Sequence, residues 1–191
     1  KKHFVINLEN YKNLNKVILE LKKKYEKIDV FFLAGESSVE RSIVNSKSSI
    51  NNSIISFHNT ILSLRKVKST IVFASSGSVY DSRIKSSFSE QDAVRPPSPY
   101  AAIKLASEGI AISYCETYGM DIRIARIFSA FGETMNRFFM YDLVKKLNNS
   151  KDKVLLKGSG NQERDYLHVD DVSNGLFTIL KKGLKGEVYN L

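Results

Sequence analysis

A chain of 191 residues with 42% hydrophobic and 26% charged residues has the make-up of one globular unit, long enough to bury a core without staples. No apolar run approaches the roughly 20 residues of a membrane span, the Lys1-Lys2 start reads as no signal peptide, and the single Cys115 excludes an internal disulfide and suits the reducing cytoplasm. The net charge of +9 comes from scattered lysines, with small clusters at Lys22-Lys23-Lys24 and Lys145-Lys146, so no basic run marks a nucleic-acid or membrane tail.

In chain order, residues 4–6 predict a short strand. Leu14, Val17, Ile18 and Leu21 recur at helical spacing, and residues 28–33 predict a buried strand. Residues 47–66 predict one helix, with Ile50, Ile54, Ile55, Phe57, Ile61 and Leu62 as its apolar positions. Residues 70–74 form the next strand, and the polar, Pro-containing stretch 81–98 a loop. Ser98 can cap a helix whose first position is Pro99, where a missing N–H costs nothing. That helix runs to Tyr118, and Gly119 supplies a left-handed stop. Strands follow at 121–128, 154–157 and 187–190, with helices at about 136–148 and 170–182. Strands alternating with helices predict an α/β fold, a doubly wound parallel sheet covered on both faces. Ligands of such sheets sit outside the carboxyl ends of the strands. Gly35, Ser76 and Ser129 all fall just after strands and should meet at one edge.

The chemistry lies in Ser75-Ser76-Gly77-Ser78-Val79-Tyr80, followed twenty residues on by Tyr100-Ala101-Ala102-Ile103-Lys104. On a helix, Tyr100 and Lys104 lie one above the other. Phenol, with a pKa near ~10, is a poor base at neutral pH. A lysine one turn away and the positive end of the helix dipole both favour the phenolate. Such a base can take the proton of a sugar hydroxyl as hydride leaves its carbon, while Ser76 holds the same oxygen. Each motif alone is common by chance; a serine at a strand end, a loop, then Ser-Pro-Tyr opening a helix is a more specific conjunction.

On these residues the chain resembles an extended short-chain dehydrogenase/reductase of the NAD-dependent epimerase/dehydratase family, which acts on nucleotide sugars. The resemblance covers nearly the whole chain in order and implies a Rossmann-like sheet. Phe31-Phe32-Leu33-Ala34-Gly35 resembles the strand whose backbone lies along the dinucleotide, and Asn52 falls where the family has a cofactor-contacting asparagine. Ser76, Tyr100 and Lys104 match the catalytic trio, with Ala74, Tyr100, Lys104 and Phe128 also expected beside the cofactor. Arg126-Ile127-Phe128-Ser129 resembles the segment that passes the nicotinamide and the sugar. Gly158-Ser159-Gly160-Asn161-Gln162-Glu163-Arg164-Asp165-Tyr166-Leu167-His168-Val169-Asp170-Asp171-Val172 resembles the most specific family string, whose arginine grips the nucleotide diphosphate. Arg164 suits that task because a planar guanidinium pairs bidentately with phosphate. Its alternative is an ion pair with Asp165 or another neighbour. Gly158-x-Gly160 lacks the third glycine of a dinucleotide fingerprint. His168 reads as structural, and with His3, His58 and Cys115 scattered no metal site is expected.

Departures from the family pattern narrow the reading. The glycine-rich turn after the family's first strand is absent. Residues 1–35 instead resemble its third strand, next helix and fourth strand, with Asn7-Leu8 in place of the Asp-Ile/Leu pair that holds the adenine. The chain therefore reads as a fragment short of about 60 preceding residues. It should show a vacancy beside the 28–33 strand, filled by a companion segment or an unusual dimer. Residues 1–130 would be the partial cofactor-binding domain and 131–191 the start of the substrate-binding region. Substrate contacts are expected from Ser76, Gly77, Ser78, Ser129 and Arg164. Gly77-Ser78 stand where the 4,6-dehydratases of the family carry an Asp-Glu acid–base pair, which argues against dehydration. The expectation is a nucleotide-sugar epimerase working through a transient keto intermediate with bound NAD (or NADP), as a homodimer. The alternatives are an NAD(P)H-dependent 4-keto-sugar reductase and an inactive remnant that only binds nucleotide sugar. The 191 residues by themselves are not expected to turn over.

Overall fold

The structure, a computed structural model, describes residues 2–84, 87–150, 153–156, 158–161 and 163–191. The chain runs α1 (Tyr11–Lys24), β1 (Ile28–Phe32), α2 (Val39–Val44), α3 (Ser46–Ile50), a π-helical turn (Asn51–Ile55), α4 (Ser56–Leu64) and β2 (Ser69–Ser76). A 3-10 turn (Gly77–Val79), α5 (Pro99–Tyr118), β3 (Asp121–Ile127), β4 (Ser129–Phe131), α6 (Phe138–Asn149), β5 (Tyr166–His168), α7 (Val169–Lys182) and β6 (Val188–Asn190) follow.

Four strands form one sheet in the order β1-β2-β3-β6, and every pairing in it is parallel. Parallel neighbours need crossovers, and the helices supply them on both faces. The side chains of β2 alternate accordingly. Ile71 and Phe73 join Leu14, Ile18, Phe57, Ile61, Leu64, Ala111 and Cys115 on one face, while Val72 joins Val172, Leu176, Ile179 and Leu180 of α7 on the other. Phe57 and Phe73 meet with ring centroids 4.4 Å apart. The doubly wound parallel sheet is as expected, and among the described residues β1 is bonded on one side only, to β2.

Local chemistry explains where helices start and stop. The Ser98 hydroxyl accepts from the Ala101 N–H at 3.2 Å, Pro99 takes the first helical position, and Gly119 ends α5 at φ 65°. The single helix expected over 47–66 is instead α3, a π-helical turn and α4, and the short α2 precedes them outside that range. The side chain of Ser38 accepts from Arg41 N and opens α2, and that of Asn45 accepts from Ser48 N and opens α3, in a serine- and asparagine-rich run that competes with its own backbone.

Three further differences stand. Residues 4–6 form no strand, although Ile6 still packs against the core. Residues 153–156 lie in no strand either, and Lys157 falls outside the described residues. The sequence reading also missed the parallel pair β4·β5, in which Ser129 faces Tyr166 and Phe131 faces His168. This second, small sheet carries the chain beyond the carboxyl edge of the main one. Among the described residues no helix is long and apolar enough to cross a membrane.

Candidate functional site

Ser76 is the last residue of β2 and caps the 3-10 turn that follows. Its Oγ accepts from the Ser78 N–H at 3.2 Å and lies 3.0 Å from the Ser78 hydroxyl. Tyr100 is the second residue of α5, and its phenol lies near enough to the Ser76 side chain for that group to act on its titration. Lys104, one turn further along α5, is buried and donates from Nζ to the Ala74 carbonyl at 2.7 Å. Its Nζ sits 6.0 Å from the centre of the Tyr100 ring. Serine, tyrosine and lysine thus converge at the carboxyl end of β2, as their spacing predicts.

The electrostatics differ from the expected activation. Burial pushes the Tyr100 phenol above its ordinary value, the Ser76 hydroxyl draws it down, and the Glu36 carboxylate pushes it up. Burial lowers the Lys104 ammonium to about 8, opposed by the Glu108 carboxylate. The phenol is not held below its usual range here, because its burial and Glu36 outweigh the pull of Ser76.

Glu36 is a site residue that the sequence reading missed. Its backbone N–H donates to Ser53 Oγ at 2.8 Å, and its carboxylate accepts from Ser37 N and Ser38 N at 2.8 Å each and pairs with Arg41 at 3.0 Å. The side chain is largely buried and these donors lower its pKa, so it is held as an anion. The signal was present in Gly35-Glu36-Ser37-Ser38, but a glutamate between a strand and a serine reads as a helix-start residue.

Bare backbone lies exposed where β1 ends. Leu33, Ala34 and Gly35 are exposed at the carboxyl end of β1. Gly35 has φ 127°, and a Cβ there would meet Ser53 Oγ at 3.0 Å. Only glycine lets the chain turn this tightly against the π-helical segment and leave bare backbone facing out. Asn52 lies on that same segment, exposed, with Nδ2 donating to Ser48 Oγ at 3.2 Å. Ala74 lies buried beneath, its carbonyl taken by Lys104. Asn7 Oδ1 accepts from the Glu9 N–H at 2.9 Å, and Leu8 packs against the core with its carbonyl accepting from Asn59.

Phe128 and Ser129 lie at the junction of β3 and β4 and line a cavity of about 390 Å³ with Ser37, Met135, Phe138, Arg164 and Tyr166. Arg137 donates to Ser37 Oγ at 2.9 Å, closing a bridge across it. Arg164 is exposed, and its guanidinium donates to the Glu163 carbonyl at 2.8 Å, which leaves other donors toward the cavity. Gln162 of the same string lies outside the described residues. Gly77 lies against the ring of Phe128, and a Cβ at residue 77 would come within 2.7 Å of ring carbons.

Three other residues make bonds that hold the surrounding structure. The Arg126 guanidinium is buried against Glu108, at 3.1 and 2.7 Å, and away from the cavity. His168 Nδ1 accepts from the Asp170 N–H and caps α7. Asp81 accepts from the backbone N–H of Arg83 and from its Nε and Nη2, closing a turn, and this holds its carboxyl down to about 2.

The sequence model of the NAD dependent epimerase/dehydratase family matches residues 5–191. A dTDP-glucose 4,6-dehydratase of Streptomyces antibioticus is 31% identical over 168 residues, covering 85% of this chain and 49% of that protein. A UDP-glucuronic acid 4-epimerase of Bacillus cereus, solved with UDP-glucuronic acid and NAD, superposes with a TM-score of 0.83 at 27% identity, covering 97% of this chain and 58% of the other. A dTDP-glucose 4,6-dehydratase of Streptomyces venezuelae, solved with NAD, gives 0.83 at 28% identity, with 97% and 56% covered. The chain spans about half the length of the curated relatives it matches.

Proposed function

Because this chain belongs to the NAD dependent epimerase/dehydratase family, we propose that the protein is a nucleotide-sugar epimerase that works through a transient keto sugar. The relatives include both 4,6-dehydratases and 4-epimerases, so family membership alone does not choose the reaction. The contact between Gly77 and Phe128 carries the choice. The dehydratases resembled here place an acid–base pair at positions 77 and 78. This chain has glycine and serine there, and the Phe128 ring occupies the space an acidic side chain would need.

In this reading the exposed Leu33–Ala34–Gly35 backbone, Asn52, Tyr100, Lys104 and Phe128 hold NAD. When bound, it supplies a place for a hydride to go and to come back from. Tyr100 takes the proton of the sugar hydroxyl as the carbon–hydrogen bond breaks, leaving a ketone, and gives it back after the sugar has turned over. Ser76 donates to the same oxygen and fixes its distance from Tyr100. Lys104 is the cation that holds the phenolate before the proton is taken and after it is given back. Arg164 and Ser129, on the cavity wall beyond Phe128, bind the diphosphate and the sugar. Residues 1–130 then serve the cofactor, residues 131–191 begin the substrate-binding part, and the working form is a homodimer.

The test is to incubate the full-length protein with catalytic NAD and a panel of UDP-, dTDP- and GDP-hexoses, followed by NMR. An epimeric sugar formed with no net NADH supports the reading. A 4-keto-6-deoxy product would assign dehydration instead, and a keto sugar reduced with stoichiometric loss of NADH or NADPH would assign a reductase.

A further inference from the structure

Behind the reacting trio lies a buried polar chain that the proposed mechanism does not use. Glu108 sits on α5 one turn beyond Lys104 and is 2% exposed. Its carboxylate accepts the Ser75 hydroxyl and both the Nε and Nη2 of Arg126, at 3.1 and 2.7 Å. Arg126, 5% exposed on β3, spends its remaining terminal nitrogen on Tyr80 Oη at 2.6 Å. The Tyr80 hydroxyl in turn donates to Asn190 Oδ1 on β6 at 2.9 Å. Asn190 ends the chain on the loop after Tyr80: its Nδ2 donates to the Phe88 carbonyl at 3.1 Å and its N–H to Glu90 Oε1 at 2.7 Å.

The rings reinforce these bonds. Tyr80 stacks on Phe88 with centroids 4.6 Å apart and an interplanar angle of 9°. Its other neighbour is Phe128 at 6.3 Å, the residue that walls the site beside Gly77. At the inner end, Ser75 lies between Ala74, whose carbonyl receives the Lys104 proton, and Ser76. Glu108 therefore ties the end of β2 to α5, the two elements whose relative placement sets the Ser76–Tyr100–Lys104 geometry.

We propose that Tyr80 is a positioning residue for this site: its hydroxyl joins the loop at 87–98 and strand β6 to the Arg126–Glu108 pair, and so fixes the end of β2 against α5. The proposal rests on the reading of Tyr100 as the proton acceptor only for its kinetic arm. Fully satisfied buried networks rigidify what they connect, and a single missing partner loosens it. Small misplacements at a reacting centre are costly, on the order of a hundredfold in rate for an ångström.

Tyr80→Phe removes one oxygen and keeps both ring contacts, so the fold should survive. Asn190→Ala removes the outer acceptor of the same chain. Amide hydrogen exchange by mass spectrometry of the full-length protein, without ligand, should show faster exchange in both variants at residues 74–79 as well as at 87–98. The α1 peptides should be unchanged. In the wild-type-active assay, kcat should fall on the order of tenfold with KM nearly constant. Faster exchange confined to 87–98, an unchanged kcat, or a uniform rise that includes α1 would overturn the proposal. Should the wild type turn over no nucleotide sugar, the function reading fails, and exchange at 74–79 still decides the coupling.

Discussion

The ring of Phe128 fills the space in front of Gly77, leaving no room at residue 77 for even a β-carbon, which would sit 2.7 Å from the ring. Gly77→Ala should therefore cost about 1–3 kcal/mol through overpacking, read as a lower urea midpoint. Adding Phe128→Leu should recover part of that loss, because the two residues share one space. The same contact predicts that Gly77→Asp with Ser78→Glu yields no 4-keto-6-deoxy product. A destabilisation unchanged by Phe128→Leu would show that the contact is not the cause.

Tyr100→Phe should lower kcat by about 10²–10⁴-fold, the usual worth of a positioned general base, and leave nucleotide-sugar affinity by calorimetry nearly intact. The phenol is largely buried and lies beside Ser76, so loss of the hydroxyl alone should change stability by only about 1 kcal/mol. Turnover that survives the substitution would remove Tyr100 from the chemistry.

How far the sequence discloses this site depends on the range of each interaction. Ser98, Pro99 and Gly119 mark α5 to the residue, because capping is local and each side chain acts on the nearest turn. Ser76, Tyr100 and Lys104 are legible for the same reason: one strand end and one helical turn bring them together. Glu36 is not, since its role depends on Ser53 and Arg41 folding back over it. Nor are β4 and β5, three-residue strands with no room for an alternation to show. The Lys104–Tyr100 electrostatics failed for a different reason. Spacing sets their proximity, but burial and the neighbouring carboxylates Glu36 and Glu108 bear on the protonation, and neither is written in the spacing.

Arg164→Ala should weaken nucleotide-sugar binding by about 10–100-fold, the worth of one to two charge-assisted hydrogen bonds. The residue is exposed and its intramolecular bond is to the neighbouring Glu163 carbonyl, so stability should move by no more than about 0.5 kcal/mol. Titration calorimetry with UDP, dTDP and GDP, beside a thermal melt, separates the two effects. A variant that binds normally, or melts markedly lower, would return Arg164 to a structural role.

Lys104 gives the pH dependence its direction. Its pKa is lowered from 10.5 to about 8 by burial, so between those values the unfolded chain holds a proton that the folded chain has released. Stability contributed by this group must then rise with pH across that window, and is flat below it, where both states are charged. Lys104→Met removes the titration. The urea midpoint of the wild type should gain on that of the variant from pH 8 to 10, and at pH 7 the variant should be at least as stable, since no charge is buried there. Turnover should nonetheless be lost at every pH, because no cation remains to hold the Tyr100 phenolate. Parallel stability curves for the two proteins would show that Lys104 keeps an ordinary pKa. An active Lys104→Met protein would show that the phenolate is held by something else.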